Sequence, residues 1–461
     1  MNNYSIPYHD IDILIPAQQF EINFNYTSGE VPNFIDSMIM RLLRIAPLAV
    51  KNIAQFLGMN QREVRIVIDH LITNGEIELQ QDGLFTLTNK SMKYFVGVDS
   101  LPKITSVLEH RQRLMYELTN FNYINQRPDN NMYGLKLTAT SSNIASSEAI
   151  VRDRFQKQFY QLLEEEIITL AKLEGSAKIY KMGTVRKLKD CTVRKELDLN
   201  IDSQAEPQSI KVLDTIISED LKDKTYQALA QSKKGDNIRD IVKHLEGFET
   251  LNLDQYFKDG SFLASQVLFD TLSSFSENNS KENHLFIGPC YSRSNSKVIL
   301  EKIRESLSKN KKATGLYWLA PDDAFWGKSL RFNTFFGELV KLQTQDSSPL
   351  KLRCFLPIAD LKDYLSINNY RKIIGAKDHQ KYFYGIEQGI LDGHFEILAL
   401  KDEFVVVVVH VQHSESDFLT SFPVGVISYD KKLVDSLITL FEAWQSSEDE
   451  GGLVFGPMFI K

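Results

Sequence analysis

Arg62 and Arg65 stand three residues apart in the run Gln61-Arg62-Glu63-Val64-Arg65-Ile66-Val67-Ile68-Asp69-His70-Leu71-Ile72. Its apolar residues recur at helical spacing, so the two guanidiniums share one helix face. Asn60 and Gln61 precede them at the helix start, where side chains commonly read base edges. Lys51 and Lys90 are placed to reach phosphates. Glu63, Asp69, Glu76, Glu78 and Asp82 surround these cations, so the segment has two readings, contact with duplex DNA or docking to a protein. Other constellations are weaker. His410 and His413 sit at i, i+3 on a strand, which does not put both on one face, and no third ligand lies at ordinary spacing, so no metal site is expected. Gly327-Lys328-Ser329 has the tail of a phosphate loop, but Asp322 replaces the leading glycine, and a surface turn before a helix is expected. Gly288-Pro289-Cys290-Tyr291-Ser292-Arg293-Ser294 offers an anion cradle at a helix start; an ordinary strand-to-helix turn is the simpler reading. No Gly-x-Ser-x-Gly elbow occurs, and no cofactor is expected.

The arginines need a scaffold, and residues 32–95 supply one. Pro32 opens an amphipathic helix through Leu43, and a second runs from about Val50 to Leu57 and stops at Gly58. Asn60 caps the third, and Asn74-Gly75 closes it. Glu76–Leu79 and Leu84–Thr88 alternate around Gln80-Gln81-Asp82-Gly83, a hairpin signal. Three helices followed by a tight hairpin resemble a winged helix, which sets a polar helix face beside a wing. Ile11–Ile15 and Phe20–Phe24 read as two strands packed against it, giving a domain over 1–98.

Residues 99–283 are a mixed middle region. Helices are expected over Val107–Leu118, 147–172 and from Pro207 to about Leu245, with loops at Phe121–Tyr123 and Asn130–Tyr133. Ala177 to Lys195 is strand-like and basic, an extension of a nucleic-acid surface or a solvated strand pair. Residues 246–283 are acidic and serine-rich, the preferred linker. From His284 strands and helices alternate, and Val405–Val409 suits a strand buried on both faces.

A chain of 461 residues has room for two or three domains, and a net charge of −7 argues against a surface that grips nucleic acid everywhere while leaving room for a local basic patch. No apolar run is long enough to span a bilayer, and no basic-then-apolar leader is visible at Met1. The three cysteines, Cys191, Cys290 and Cys354, are far apart and odd in number, which fits a reducing, cytoplasmic setting.

The order of elements over 284–461 resembles one half of a phospholipase-D-like domain. The resemblance rests on Ile287–Ser292 as the opening strand and turn, the strand Gly315–Leu319, and Pro423–Asp430 with the helix through Trp444. That family uses His-x-Lys, four residues, then Asp; its histidine attacks phosphorus and its lysine binds the phosphate. His379-Gln380-Lys381 has the His-x-Lys spacing, but Ile386 holds the Asp position. His394-Phe395-Glu396 directly precedes a strand, but Glu396 replaces the lysine and Lys401 the Asp. The Gly-Ser pair of the family gives way to His410-Val411-Gln412-His413.

The expected fold is therefore α+β and multidomain: winged helix, mixed middle region, and an α/β phospholipase-D-like domain. The expected function is binding, to double-stranded DNA or to a partner, with the degenerate domain supporting a homodimer or a larger complex. A regulator or a subunit of an antiviral-defence or mobile-element complex fits by analogy of layout. The alternatives are a phosphodiesterase or nuclease using His379, Lys381 or His394, and a ligand-sensing transcription regulator.

Overall fold

The computed structural model describes residues 5–457 except 31, 96–100, 103, 129–132, 171–176, 211–218, 275–282, 310–313, 345–349, 360–361, 375–376, 414–416 and 447–453. The chain is a mixed α+β protein with several sheets. Asn130–Met132 and the serine-rich run from 275 lie outside the described residues.

One strand, β1 (Ile6–Glu30), organises the molecule. At ~3.3 Å per residue its 25 residues extend about 80 Å. The two strands expected at Ile11–Ile15 and Phe20–Phe24 are thus a single strand. None of its described side chains joins the apolar core of the helices that follow it. Those are α1 (Phe34–Ile45), α2 (Val50–Leu57) and α3 (Gln61–Thr73), followed by the hairpin β2 (Ile77–Leu79) and β3 (Phe85–Leu87). Ile39, Met40, Leu43, Ile53, Val64, Ile68, Leu71, Ile77 and Leu87 close a small core of their own. Gly58 ends α2 in the left-handed region, φ 65°, which a side chain would strain.

The chain then returns as β4 (Ile104–Glu117), antiparallel to β1 from Glu30↔Ile104 to Ala17↔Glu117. The helix–hairpin unit is therefore an insertion at the tip of a β ribbon. The expected helix at Val107–Leu118 is this strand: apolar residues at Leu114, Met115, Tyr116 and Leu118 fit either period, and pairing with β1 decides the outcome. The short β5 (Leu135–Lys136) pairs beside Ile13 and Leu14. Helix α4 (Ser147–Glu164) lays Val151, Phe155 and Phe159 on Phe20, Phe24 and Tyr26 of β1. On the other edge of β1 runs β6 (Lys178–Ile201), antiparallel from Thr27↔Lys178 to Ile6↔Ile201.

Helices α5 (Glu219–Ser232) and α6 (Ile238–Leu245) follow. The stretch after them, expected as a linker, is folded: Phe248, Leu251, Leu253, Tyr256 and, on α7 (Ala264–Ser274), Val267 and Leu268 are buried. Its acidic residues face outward, and its apolar ones are too sparse to announce a core.

The large sheet is built from β7 (His284–Ile287), β8 (Thr314–Leu319), β9 (Leu350–Ile358), β10 (Phe383–Glu387), β11 (Phe395–Leu400), β12 (Phe404–Val411), β13 (Phe422–Ser428) and β14 (Val454–Pro457). Its order is β14-β10-β9-β8-β11-β12-β13-β7, with parallel pairing only within β8-β9-β10. Val405, Val407 and Val409 point to one face, against α10 (Lys431–Ser446); Val406 and Val408 point to the other, against the layer of α8 (Arg293–Lys309) and α9 (Leu330–Thr344). Both faces are covered, which explains the uninterrupted apolar run. Tyr8, Ile11, Ile13 and Ile15 of β1 join the first of these cores, so the ribbon's base is packed into the α/β unit and its tip carries the helix–hairpin insertion.

Candidate functional site

On α3 the apolar face is buried through Val64, Ile68 and Leu71, which leaves Gln61, Arg62 and Arg65 exposed. Asn60 is engaged by the helix itself: its side-chain oxygen accepts the Arg62 N–H at 3.0 Å, and Glu63 returns to the Asn60 N–H at 3.1 Å. Lys90 is likewise occupied, donating to the Asn74 carbonyl at 2.7 Å and so closing the C-terminus of α3. Lys51 is exposed at the start of α2. The hairpin tip, Gln80–Gly83, is also exposed. Phe56 and Ile66, 70% and 65% exposed, stand on the same two helices. Sequence reasoning missed them because their positions fit an amphipathic stripe equally well.

The histidine candidates are scattered. His379 lies half-buried in a short 3-10 turn, its ring 5.5 Å from Phe336, and burial lowers its pKa with Lys381 adding to the effect. Lys381 is exposed and lies over the Tyr382 ring. His394 contacts different partners: Asn237 Nδ2 at 3.2 Å and the Asp240 carboxylate at 3.9 Å. Burial lowers its pKa, against the pull of Asp240 and Asp392. Nothing pairs His379 with His394 among the described contacts.

Glu396 is 0% exposed. One carboxylate oxygen accepts the indole N–H of Trp318 at 3.0 Å and of Trp326 at 3.1 Å; the other faces the Cys290 N–H and His410 Nε2, both at 3.4 Å. Four donors saturate the group, so it has no capacity left for a substrate. His410 Nδ1 faces Asp323 at 3.9 Å and Ser421 at 3.5 Å. Burial would raise the Asp323 pKa, yet His410, His9 and the Phe325 N–H hold it below the usual carboxylate range. His413, beyond the end of β12, has a different partner, Asp236 at 3.9 Å.

The ribbon closes over this network. Burial drives the His9 pKa down to about 4 despite the nearby Asp323. Burial pushes Asp10 up to about 7, opposed by Ser329 and Arg331, and Asp12 up to about 6, opposed by Arg194. The Asp12 N–H donates to the Lys328 carbonyl at 2.8 Å, and the Tyr291 hydroxyl accepts the Gly327 N–H at 2.9 Å. Gly327-Lys328-Ser329, expected as a surface turn, is therefore a docking seam: Ser329 is buried and caps Phe332. The turn at Gly288 is filled in the same way, with Asn295 Nδ2 donating to the carbonyls of Ile287 and Pro289 at 3.0 and 3.1 Å.

Among the described residues no group of three or more His, Cys, Asp or Glu side chains could hold a metal ion, and no helix is long and apolar enough to cross a membrane.

No protein-family model matches this chain, and no curated protein does. A solved structure with partial similarity is that of TrmBL2, described as an archaeal chromatin protein that shows a novel mode of DNA binding. Identity is 14%, and the match spans 44% of this chain and 65% of that one. The TM-score is 0.21, too low to make the two folds alike.

Proposed function

We propose that the protein binds double-stranded DNA through α3 and the β2–β3 hairpin, used as a winged helix. The observation that carries this reading is the pair Arg62 and Arg65, both exposed and one turn apart on the face of α3 opposite its buried stripe. Gln61 lies beside them as the base-reading candidate, and Lys51 as a phosphate contact. Asn60 and Lys90 serve the helix ends instead. The α/β unit acts as a phospholipase-D-like scaffold without its chemistry, supporting a homodimer or a protein complex in a cytoplasmic regulator or defence assembly. The saturated Glu396 supports a structural role over the phosphodiesterase alternative.

The test is titration of a labelled duplex at two salt concentrations with the wild type and Arg62→Ala/Arg65→Ala. Salt-sensitive binding that the variant loses supports the reading. Binding indifferent to both arginines overturns it and returns the helix–hairpin unit to protein docking.

A further inference from the structure

We infer that the cleft between α4 and the first residues of β6 is a second phosphate-backbone site for the duplex that α3 holds; it rests on the DNA-binding reading above. The cleft encloses about 500 Å³. Arg152, Gln156 and Tyr160, successive turns of α4, form one wall, and Lys178, Tyr180 and Lys181 form the other. Each of these side-chain types donates to phosphate oxygens in protein–DNA interfaces. No carboxylate is among the described lining residues, in a chain whose net charge is −7. Such a local reversal of sign is the electrostatic footprint of a polyanion site.

The walls are held in place. Arg152 donates to the Met182 carbonyl at 3.1 Å, tying helix to strand, while Phe159 and Met182 are buried between them. Tyr160 and Tyr180 nevertheless stay 53% and 66% exposed at the rim. Two aromatic rings open to water beside three cations suit contacts to a sugar-phosphate backbone. Location agrees. Lys178 pairs with Thr27, six residues before Asn33, which caps α1, so the cleft lies within about 20 Å of chain from the helix–hairpin unit. That is shorter than one turn of duplex, ~34 Å.

The experiment uses the full chain and a duplex of about 30 base pairs, with binding constants measured over a salt series. Lys178→Ala/Lys181→Ala is compared with Arg62→Ala/Arg65→Ala and with Lys243→Ala/Lys258→Ala, exposed lysines elsewhere that carry the same change of net charge. The expected result is a slope of log K against log salt reduced by about 2 in the cleft variant, at ~0.9 per phosphate contact, and unaltered in the control. An unchanged slope in the cleft variant, with binding lost in the arginine variant, overturns the cleft and leaves α3. Loss in the cleft variant alone overturns α3 and, with it, the cleft as a second site beside α3. A wild type that does not bind duplex at all overturns both.

Discussion

Arg194 on β6 lies 3.0 Å from the carboxylate of Asp12 on β1, and the same carboxylate oxygen accepts the backbone N–H of Leu330, at the start of α9, at 2.8 Å. Two ribbon strands and a helix N-terminus of the α/β unit thus converge on one buried carboxylate. Helix N–H groups and a guanidinium both favour its negative charge. Arg331, one residue on, reaches Asp198 of β6 at 2.7 Å. The junction between ribbon and α/β unit is therefore electrostatic on one face of β1, through the buried Asp10 and Asp12, and apolar on the other, where Ile11, Ile13 and Ile15 pack.

Arg194→Ala should destabilise the protein by about 3 kcal/mol, the usual scale when one member of a buried ion pair is removed. Its guanidinium also lies over the Tyr133 ring, so part of the loss is packing. The double variant Asp12→Asn/Arg194→Ala separates the two, because it removes the orphaned charge and should recover part of the stability. Urea unfolding measures both. A loss below about 0.5 kcal/mol in the single variant would place Arg194 among ordinary surface pairs.

Asp10 gives the junction a pH dependence of defined sign. Burial raises its pKa to about 7 in the folded chain from an ordinary 3.8, so the folded state holds a proton that the unfolded state releases. Stability from this group is fully present below about 4 and is lost as pH rises through 7. His9 runs the other way: its pKa falls to about 4 from 6.5, so its contribution is present above 6.5 and is lost as pH falls through 4. Asp10→Asn mimics the protonated carboxyl. The variant's gain in Tm over wild type should be larger at pH 8 than at pH 5. Equal differences at both values would show that Asp10 titrates normally.

The legible parts of the fold were those in which one local signal dominates. Val405–Val409 reads as a doubly covered strand because no polar residue interrupts it, and the Asn60 cap and Gly58 stop mark the ends of α3 and α2. The ribbon was obscure for the opposite reason. Asp10, Asp12, Gln18 and Glu21 are buried within β1, and only their partners explain them: Arg194 lies 182 residues from Asp12, and Arg186, 165 from Glu21, donates to it at 3.1 Å. Long-range pairs of that kind leave no periodicity. The departures at Glu396 and His410 were visible as departures; that the two lie 3.4 Å apart, on neighbouring antiparallel strands, was not.

Those two residues provide the sharpest separation of scaffold from enzyme. Glu396→Ala strands two indole N–H groups, a backbone N–H and one His410 nitrogen in a dry core, at ~1–3 kcal/mol for each unsatisfied donor. Severe destabilisation, at least about 3 kcal/mol, is expected. Glu396→Gln keeps an acceptor oxygen for the tryptophans and should cost less than half as much. His379→Ala should be nearly neutral in stability because the ring is half-buried against Phe336, where truncation opens a gap that solvent can fill. Thermal unfolding of the three variants, beside a phosphodiester hydrolysis assay of His379→Ala, tests the distinction. A stable Glu396→Ala protein together with hydrolysis abolished by His379→Ala would reverse it, because the carboxylate would then be dispensable and the histidine indispensable. A scaffold requires the opposite pairing, and the four donors converging on Glu396 are the physical reason to expect it.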